Sequence, residues 1–257
     1  MKGNNFMENR EALKHNETGW NAVADQYFGV TSLPTYGPYS PTEEELNLFG
    51  DISGKKVLEI GCGSGHSLCY MGNKGASELW GLDISSEQIK IAKDFLKGNG
   101  YESNLFVSPM EENPGIPLKQ FDIVYSIYAL GWTVDIEKTI NLVSSYLKRG
   151  GIFVFSWDHP FMQCVSAKDG QITVERSYHD ERFLHMKIRK KQPMVLRNWK
   201  MSSYINALAS CGMKVEQLHE DIKSDIKENG DEFSEKYYSA YKANLMPLSF
   251  IVKAVKL

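Results

Sequence analysis

The segment Val57-Leu58-Glu59-Ile60-Gly61-Cys62-Gly63-Ser64-Gly65 decides how this chain folds. Its apolar, β-favouring first half predicts a buried strand, and its three alternating glycines predict a sharp turn. Glycine tolerates positive φ and has no Cβ, so a turn of this kind brings bare backbone against a ligand. The residues from His66 to Met71 then predict the start of a helix. A strand, a glycine turn and a helix N-terminus in this order are typical of the ligand-binding edge of an open α/β sheet.

The glycine spacing separates two classes of ligand. The dinucleotide pattern G-x-G-x-x-G has its third glycine at position 66, where this chain has His66. The spacing here is G-x-G-x-G, preceded by the acidic residue Glu59. A nicotinamide oxidoreductase is therefore disfavoured, but it stays open as an alternative until nucleotide binding is measured.

The segment 57–65 resembles the first motif of the class I S-adenosylmethionine-dependent methyltransferases of the small-molecule type. Other segments are similar to this family at its usual spacing, and together they extend the resemblance over about residues 18–156. These segments are the lid helix at 20–27, the second strand with its terminal acid at 78–85, the fourth strand at 121–126, and the Gly-Gly turn with the fifth strand at 147–155.

The alternation of strands and helices predicts an α/β fold with a parallel sheet between two helix layers. The resemblance implies a Rossmann-like three-layer sandwich whose seven-stranded, mostly parallel sheet has the order 3-2-1-4-5-7-6. We expect a lid region over residues 1–41, loose as far as residue 15 and helical from Asn16 to Phe28. The methyltransferase domain is expected over residues 42–257, beginning with a charged helix from Thr42 to about Phe49. Its β-favouring segment at about 158–199 predicts a small substrate cap.

Composition and charge narrow the class of protein further. Hydrophobic residues make up 42% of the 257 residues and charged residues 24%, as in ordinary globular proteins. The net charge of −3 argues against nucleic acid as the main partner, although residues 187–191 are locally basic. The four cysteines form no C-x-x-C pair and indicate reduced thiols. We find no transmembrane run and no signal peptide, so the sequence predicts a soluble cytoplasmic chain without a membrane partner.

The resemblance implies S-adenosyl-L-methionine as the cofactor and S-adenosyl-L-homocysteine as its product. The backbone of Gly61, Cys62, Gly63 and Gly65 would approach the carboxylate and ribose side of this ligand, and Cys62 would have no covalent role. Asp83 ends the second strand and would accept both ribose hydroxyls, because a carboxylate offers two acceptors and no competing donor. The alternative for Asp83 is an acid favoured by the helix dipole.

Other residues are assigned to the cofactor by the same resemblance. Family members often carry an acid after strand three that meets the adenine amino group, and Pro109 replaces that acid here. Met110 would stack on the adenine ring, Glu111 would substitute as the acceptor, and Ile84 either packs on the opposite face or belongs to the core. Glu59 either approaches the ligand's ammonium group or only braces the loop. The methionine side is expected to be contacted by Ser126, Ile127 and, unless it makes only a core contact, Tyr27.

The acceptor side has one candidate for acid–base chemistry. Methyl transfer from a sulfonium depends mainly on alignment, and a base is needed only when the acceptor arrives protonated. His159, just after strand five, is the candidate base; the alternative is a turn histidine fixed by Pro160. No supporting ligand set surrounds His179 and His185, so no metal is expected. Aromatic side chains over the strand ends suit a planar or partly apolar acceptor, or else pack within the lid: Tyr36, Tyr39, Tyr128, Trp132 and Trp157.

The sequence therefore predicts an enzyme that moves a methyl group from S-adenosylmethionine to an N, O or C atom of a small molecule. Two alternatives keep the same fold and ligand. One is an enzyme that uses the cofactor for other chemistry, and the other is a regulatory ligand-binding protein without turnover. The glycine turn and Asp83 favour ligand binding in all three cases, so only product formation separates them.

Overall fold

The computed structural model describes residues 2–188, 192–223, 226 and 232–257, and a seven-stranded sheet lies at its centre. Five parallel strands come first along the chain, four short strands form two hairpins, and two long strands end the sheet. The strands are β1 Lys56–Ile60, β2 Glu78–Asp83, β3 Ser103–Val107, β4 Phe121–Ile127, β5 Leu147–Asp158, β6 Val165–Lys168, β7 Gln171–Val174, β8 Phe183–Ile188, β9 Gln192–Arg197, β10 Met213–His219 and β11 Ser249–Lys256.

The order of the main sheet is β10-β11-β5-β4-β1-β2-β3. Strands β1 to β5 run parallel, whereas β11 is antiparallel to both β5 and β10. The predicted order 3-2-1-4-5-7-6 is confirmed, because β10 and β11 are the sixth and seventh strands of that scheme. Their higher numbers come from the four strands of the two hairpins.

Helices cover both faces of the sheet. They are α1 Lys2–Val23, α2 Glu43–Leu46, α3 His66–Asn73, α4 Ser86–Gly98, α5 Ile136–Tyr146, α6 Met201–Ser210 and α7 Ala240–Leu245. Helix α4 begins where the Ser85 hydroxyl accepts a hydrogen bond from the Gln88 backbone N–H, and Asp135 caps α5 in the same way. Within the described ranges, none of these helices has both the length and the apolar character to cross a membrane.

The core consists of two apolar layers, one on each face of the sheet. Leu58 and Ile60 of β1 pack into the layer that holds α5 and α6, and Val57 packs into the opposite layer. Side chains alternate between faces along a strand, so both faces of β1 are buried. Ligands of open α/β sheets bind outside the carboxyl ends of the strands, and a site is expected at that end of β1.

The expectation that residues 1–15 are loose was wrong, because α1 begins at Lys2. Ala12 is buried against Val134 and Val195, which lie on other elements. The Asn16 amide also pairs with both the N–H and the carbonyl of Val195, each at 2.8 Å. This polar helix is held by partners distant in the sequence, which a local pattern does not show.

The predicted charged helix over Thr42 to Phe49 is shorter than expected, because α2 ends at Leu46. The Glu43 carboxylate accepts hydrogen bonds from the backbone N–H groups of Leu48 and Phe49, both at 3.0 Å. Those N–H groups are therefore satisfied outside a helix, and Asn47 turns the chain in the left-handed conformation.

The segment after β5 is β-rich, as predicted. It begins with a short 3-10 helix, Pro160–Cys164, followed by the β6–β7 and β8–β9 hairpins. Strand β9 lies against α1, so this segment and the N-terminal helix meet above the sheet. In the basic run at 187–191, Lys187 is exposed, and residues 189–191 lie outside the described residues.

Candidate functional site

A cavity of about 540 Å³ opens above the carboxyl ends of β1, β2, β4 and β5. This volume is within the range of roughly 300–1,000 Å³ that is usual for small-molecule sites. The floor comes from the turns after the strands and the roof from α1 and the β8–β9 hairpin. The residues that line the cavity include Trp20, Tyr27, Glu59, Gly61, Cys62, Gly63, Asp83, Ile84, Met110, Glu111, Ile127, Tyr128, Trp132, Trp157, Asp158 and Lys187.

The neighbouring residues require a glycine at position 61 in the turn after β1. Gly61 has a φ of +73°, and a Cβ placed there would lie 2.4 Å from the Ala129 Cβ. The N–H groups of Gly61 and Cys62 donate to the carbonyl of Leu82, at 2.8 and 2.9 Å. Any side chain at position 61 would therefore break a packed contact as well as strain the backbone.

Gly65 does not line the cavity. It has a φ of +81° and precedes α3, and a Cβ there would lie 3.1 Å from the Ala92 Cβ. The expectation that Gly65 approaches the cofactor is therefore corrected: this glycine lets the start of α3 pack against α4.

Asp83 stands at the end of β2 and faces the glycine turn. One carboxylate oxygen accepts a hydrogen bond from the Gly63 N–H and the other accepts one from the Ser85 N–H, both at 2.9 Å. Each carboxylate oxygen can accept two hydrogen bonds, so one position on each oxygen remains for a ligand. Burial raises the pKa of Asp83, and the two backbone donors lower it. A fixed carboxylate with two acceptors side by side is suited to a vicinal diol.

Glu59 lies at the floor of the cavity with 2% of its surface exposed. The Tyr125 hydroxyl donates to it at 3.4 Å, and burial raises its pKa well above the usual range. Burial likewise raises the pKa of the neighbouring Cys62 thiol. Cys62 is therefore not activated as a nucleophile, in line with its expected lack of a covalent role.

The turn after β3 brings Pro109, Met110 and Glu111 to the cavity beside Ile84. One Glu111 oxygen accepts hydrogen bonds from the Thr133 hydroxyl at 2.6 Å and the Val134 N–H at 2.7 Å. Its other oxygen, Oε2, is buried and has no hydrogen-bond partner among the described residues. Burial raises the pKa of this carboxyl. Buried polar atoms are normally paired, so Oε2 suits a ligand that supplies a donor.

The two residues predicted at the tip of β4 have different positions. Ile127 lines the cavity. Ser126 does not, because its fully buried hydroxyl donates to the Ile60 carbonyl at 2.8 Å. The predicted cofactor contact of Ser126 is therefore corrected: its side chain holds β4 to β1.

A continuous row of aromatic rings follows one side of the cavity. The centroids of Trp20 and Tyr27 lie 4.9 Å apart, and those of Trp20 and Trp132 lie 5.2 Å apart. Trp157 continues the row at 5.9 Å from Trp132 and 5.4 Å from Tyr128. The predicted aromatic residues Tyr128, Trp132 and Trp157 thus meet at the cavity. Trp20 was not assigned to the site from the sequence, although its seven-residue spacing from Tyr27 places both on one helix face.

Tyr36 and Tyr39, the other predicted substrate residues, do not line the cavity. Tyr36 is fully buried, and its hydroxyl donates to Glu43 at 2.5 Å, which fixes the start of α2. Tyr39 has a φ of +64° and packs against the buried residues Met162 and Leu248. Both rings were predicted to lie over the carboxyl ends of the strands because their segment is rich in aromatic residues. The loop instead directs both rings against buried residues.

The candidate base His159 is also turned away from the cavity. Its Nδ1 accepts a hydrogen bond from the Phe161 N–H at 3.2 Å, and its Nε2 lies 2.9 Å from a Glu220 oxygen. Burial lowers the pKa of His159, while the Glu220 carboxylate raises it. Both ring nitrogens are engaged, and the imidazole caps the 3-10 helix Pro160–Cys164. The role of general base is therefore corrected to the turn histidine that was the alternative.

Sequence reasoning missed a polar cluster on the β5 side of the cavity. The Asp158 carboxylate accepts hydrogen bonds from the hydroxyls of Tyr128, Tyr237 and Tyr238. Tyr128 follows β4, whereas Tyr237 and Tyr238 come from the segment before α7. No spacing pattern in the sequence connects these positions, because they lie on separate elements. The sequence also gave no reason to pair Asp158 with its neighbour His159, since successive side chains of a strand point to opposite faces.

Two asparagines of α1 fasten the roof over the cavity. Asn16 is bonded to β9, as described above, and the Asn21 side-chain oxygen accepts from the Ser85 hydroxyl at 2.7 Å and the Glu87 N–H at 3.2 Å. The helix is thereby fixed to the start of α4 and to the β8–β9 hairpin. Such contacts restrict the access of water to the strand ends.

Carboxylates dominate the charge of the cavity lining. The acidic residues are Glu59, Asp83, Glu111 and Asp158, and Lys187 is the one exposed Lys or Arg among the described lining residues. His66 is also part of the lining, and burial lowers its pKa. In the part of the chain that the structure describes, no three His, Cys, Asp or Glu side chains are grouped to hold a metal ion. The lining is thus suited to ligands that bring positive charge and hydrogen-bond donors.

Comparison with known proteins gives one family and several relatives. A family model described as a methyltransferase domain matches residues 58–155, which contain the glycine turn, Asp83 and β5 as far as Phe155. An uncharacterised Haemophilus influenzae protein is 24% identical over 90% of this chain and 89% of its own length. The ubiquinone biosynthesis O-methyltransferase of Salmonella enteritidis is 31% identical over 107 residues, which are 42% of this chain and less than half of that enzyme, 44%.

The fold has relatives among solved structures. A crystal structure of an S-adenosylmethionine-dependent methyltransferase from Mesorhizobium loti superposes with a TM-score of 0.69 and 22% identity. The match covers 82% of this chain and 95% of that protein. At this identity the similarity establishes the shared fold.

Proposed function

We infer that this chain, a member of the class I S-adenosylmethionine-dependent methyltransferases by its matched domain and its fold, transfers a methyl group to an N, O or C atom of a small molecule. The cofactor is S-adenosylmethionine, and S-adenosylhomocysteine is its product. The acceptor class and the residues that contact each ligand are the inferred part.

The arrangement of Asp83 carries this inference. Its two oxygens are held by the N–H groups of Gly63 and Ser85, and both oxygens keep an acceptor position on the cavity side. A ribose diol supplies two adjacent donors that fit these positions. Gly63, whose N–H is bonded to Asp83, has no side chain to separate the carboxylate from a nucleoside.

The remaining lining fits the other parts of the cofactor. Glu111, with its unpartnered oxygen, together with Met110 and Ile84, would hold the adenine and its amino group. Glu59 and Tyr27 would face the amino-acid end. When bound, S-adenosylmethionine supplies an electrophilic methyl group on a positively charged sulfur.

The residues of the chain contribute orientation and the exclusion of water. Alignment of the reacting groups supplies on the order of 7–11 kcal/mol of a barrier of this kind. The aromatic row and the α1 helix, fixed by Asn16 and Asn21, form the walls that hold an acceptor in place. No base is assigned, because His159 is engaged elsewhere.

A small molecule is the acceptor class that a cavity of about 540 Å³ supports best. We propose that the segment at about 158–199 acts as a substrate cap, since Gln163, Met186 and Leu196 line the cavity. Residues 1–41 would form the lid region and 42–257 the methyltransferase domain. We also propose a cytoplasmic enzyme without nucleic-acid or membrane partners, because its cysteines are free thiols and its net charge is slightly negative.

Product formation tests this function. The purified protein is incubated with S-adenosylmethionine and pools of small metabolites, and S-adenosylhomocysteine is measured against reactions without acceptor. We expect an acceptor-dependent increase that is lost in Asp83→Asn. Calorimetric titration provides the second test: NAD binding more tightly than S-adenosylhomocysteine would overturn the assignment of the cofactor.

A further inference from the structure

Asp158 is a buried carboxylate surrounded by three tyrosine hydroxyls. Only 6% of its surface is exposed. Its Oδ1 accepts from Tyr128 at 2.5 Å and from Tyr238 at 2.8 Å, and its Oδ2 accepts from Tyr237 at 3.1 Å. All four residues line the cavity. We refer to them as the Asp158 cluster.

The cluster is held in place by other parts of the chain. Tyr128 has a φ of +54°, an unfavourable conformation for an aromatic residue, and its N–H donates to the Ser156 carbonyl at 3.1 Å. Its ring fits because Gly37 has no side chain: a Cβ there would lie 2.4 Å from the ring. The Gln163 amide donates to the Tyr237 hydroxyl at 2.7 Å. Unfavourable backbone conformations that persist are concentrated at functional sites.

The charge of Asp158 has no counter-ion among the residues that the structure describes. Among the described residues, no Lys, Arg or His forms an ion pair with it, and the nearby Lys242 ammonium donates to the carbonyls of Lys236 and Tyr237. Three phenols satisfy the hydrogen bonds of the carboxylate but are neutral themselves, because burial raises the pKa of all three tyrosines. Burial raises the pKa of Asp158, and the hydrogen bonds from the three phenols lower it. A buried carboxylate of this kind is normally paired.

The groups that the cluster offers to the cavity are acceptors. Each tyrosine hydroxyl has one proton, and in each case it is donated to Asp158. Oxygen lone pairs and aromatic faces therefore remain for a ligand, and Trp157 and Trp132 extend the aromatic surface next to Tyr128. Lone pairs, ring faces and an uncompensated carboxylate together recognise a cation that carries N–H donors.

The position of the cluster separates it from the cofactor. β4 lies between β5 and β1, so the end of β5 is two strand spacings, about 10 Å, from the glycine turn. Asp83 on β2 is one spacing farther. The proposed function assigns the ammonium group of the cofactor to Glu59 on β1, and on that assignment the Asp158 cluster is left to a second molecule.

We propose that the Asp158 cluster is the acceptor-recognition site and that it binds a protonated amino group, so that the acceptor is a small cationic amine with an apolar or aromatic body. The proposal rests on the proposed function, since the second molecule is taken to be the methyl acceptor. Asp158 and the three hydroxyls hold the charged end, and the aromatic row covers the body.

Calorimetry on the protein saturated with S-adenosylhomocysteine tests the proposal. The probes are benzylamine, 2-phenylethylamine and tyramine, each compared with the alcohol that has a hydroxyl in place of the amine. We expect at least one amine to bind, and its alcohol to bind more weakly by a factor of about ten. In Asp158→Asn the affinity for that amine should fall at least tenfold, while the affinity for S-adenosylhomocysteine stays within twofold.

Tyr146→Phe is the matched control. The Tyr146 hydroxyl is also buried but has no hydrogen-bond partner in the described part of the chain, and it lies on α5 away from the cavity. Its removal should change neither affinity. If Asp158→Asn fails to fold, Tyr237→Phe replaces it, because the Tyr237 ring is 43% exposed and tolerates the change, and a loss of about threefold or more in amine affinity is then expected.

Three results would overturn the proposal: alcohols binding as tightly as the amines, full amine affinity in Asp158→Asn, or binding of S-adenosylhomocysteine without binding of any amine. Failure of the unaltered protein to bind S-adenosylhomocysteine has a different meaning. It would contradict the proposed function itself, because that measurement does not involve the Asp158 cluster.

Discussion

Replacement of Asp83 by asparagine removes the group on which cofactor binding is inferred to depend. Both carboxylate oxygens accept a backbone N–H, one from Gly63 and one from Ser85. Asparagine has only one acceptor oxygen, so its NH₂ group must face one of these N–H donors. The variant therefore loses one internal hydrogen bond and one of the two acceptors for the ribose.

The magnitude follows from these bonds. A buried N–H without a partner costs about 1–3 kcal/mol of folding stability. Hydrogen bonds to a charged group contribute about 1.5–3 kcal/mol, against about 0.5–1.5 kcal/mol for neutral pairs, so loss of the charge and of one acceptor weakens diol binding by about 2–3 kcal/mol. At 1.4 kcal/mol per factor of ten, the Kd for S-adenosylhomocysteine should rise roughly 30- to 150-fold.

Calorimetric titration with S-adenosylhomocysteine measures this change directly and needs no acceptor. Asp122→Asn is the matched control. Asp122 lies near the start of β4, at the end of the strand away from the cavity, and accepts the Lys56 N–H at 2.9 Å and the Lys148 ammonium at 2.9 Å. It should reduce stability by a similar amount and leave the Kd unchanged. If Asp83→Asn bound S-adenosylhomocysteine within twofold of the unaltered protein, Asp83 would not be the ribose ligand.

Three further changes test other parts of the structure. Gly61→Ala should reduce the free energy of unfolding in urea by about 2–4 kcal/mol, because left-handed backbone strain adds to the contact with Ala129. Gly54→Ala has a similar φ of +71° but open space around it and should lose only about 1–2 kcal/mol; equal losses would refute the role of Ala129. The raised pKa of Glu111 means that its contribution to stability is fully present below about pH 4 and is lost as the pH rises through the folded-state pKa. Glu111→Gln mimics the protonated form, so the urea midpoint should depend less on pH above about pH 4, and an unchanged dependence would contradict this account. His159→Gln should retain turnover within about threefold, because both imidazole nitrogens are engaged outside the cavity, and a much larger loss of kcat would restore the histidine as a base.

The parts of the site that could be predicted are those that sequence neighbours build. The glycine turn follows β1 directly, and Asp83 ends β2, so the parallel pairing of these strands brings them to one edge. The same holds for Met110, Glu111 and Tyr128, which lie in the turns after strands, and for Ile127, the last residue of β4. A strand–turn–helix unit fixes the position of its own turn, because the apolar strand must be buried and the helix must cover it.

The wrong predictions concern segments that do not belong to a strand–turn–helix unit. Tyr36, Tyr39 and His159 were assigned to the cavity because of their residue types, but Glu43, the Met162–Leu248 core and Glu220 hold them elsewhere. The helix at residues 2–15 was missed for the same reason, since Asn16 and Ala12 find their partners more than 100 residues away. Residue type indicates what a side chain can do, and its partners decide where it lies.

The sequence by itself determined the alternation of strands and helices, the glycine turn after β1 and the acid at the end of β2, because hydrophobic periodicity and glycine spacing act over a few residues. The order of the strands was implied by the family resemblance. Only the tertiary structure decided the acceptor side. Asp158, Tyr128, Tyr237 and Tyr238 come from separate elements, and their meeting depends on how the segment before α7 folds back over β4 and β5. Side-chain hydrogen bonds between such distant positions leave no periodic pattern, since they are set by the packing of the whole chain.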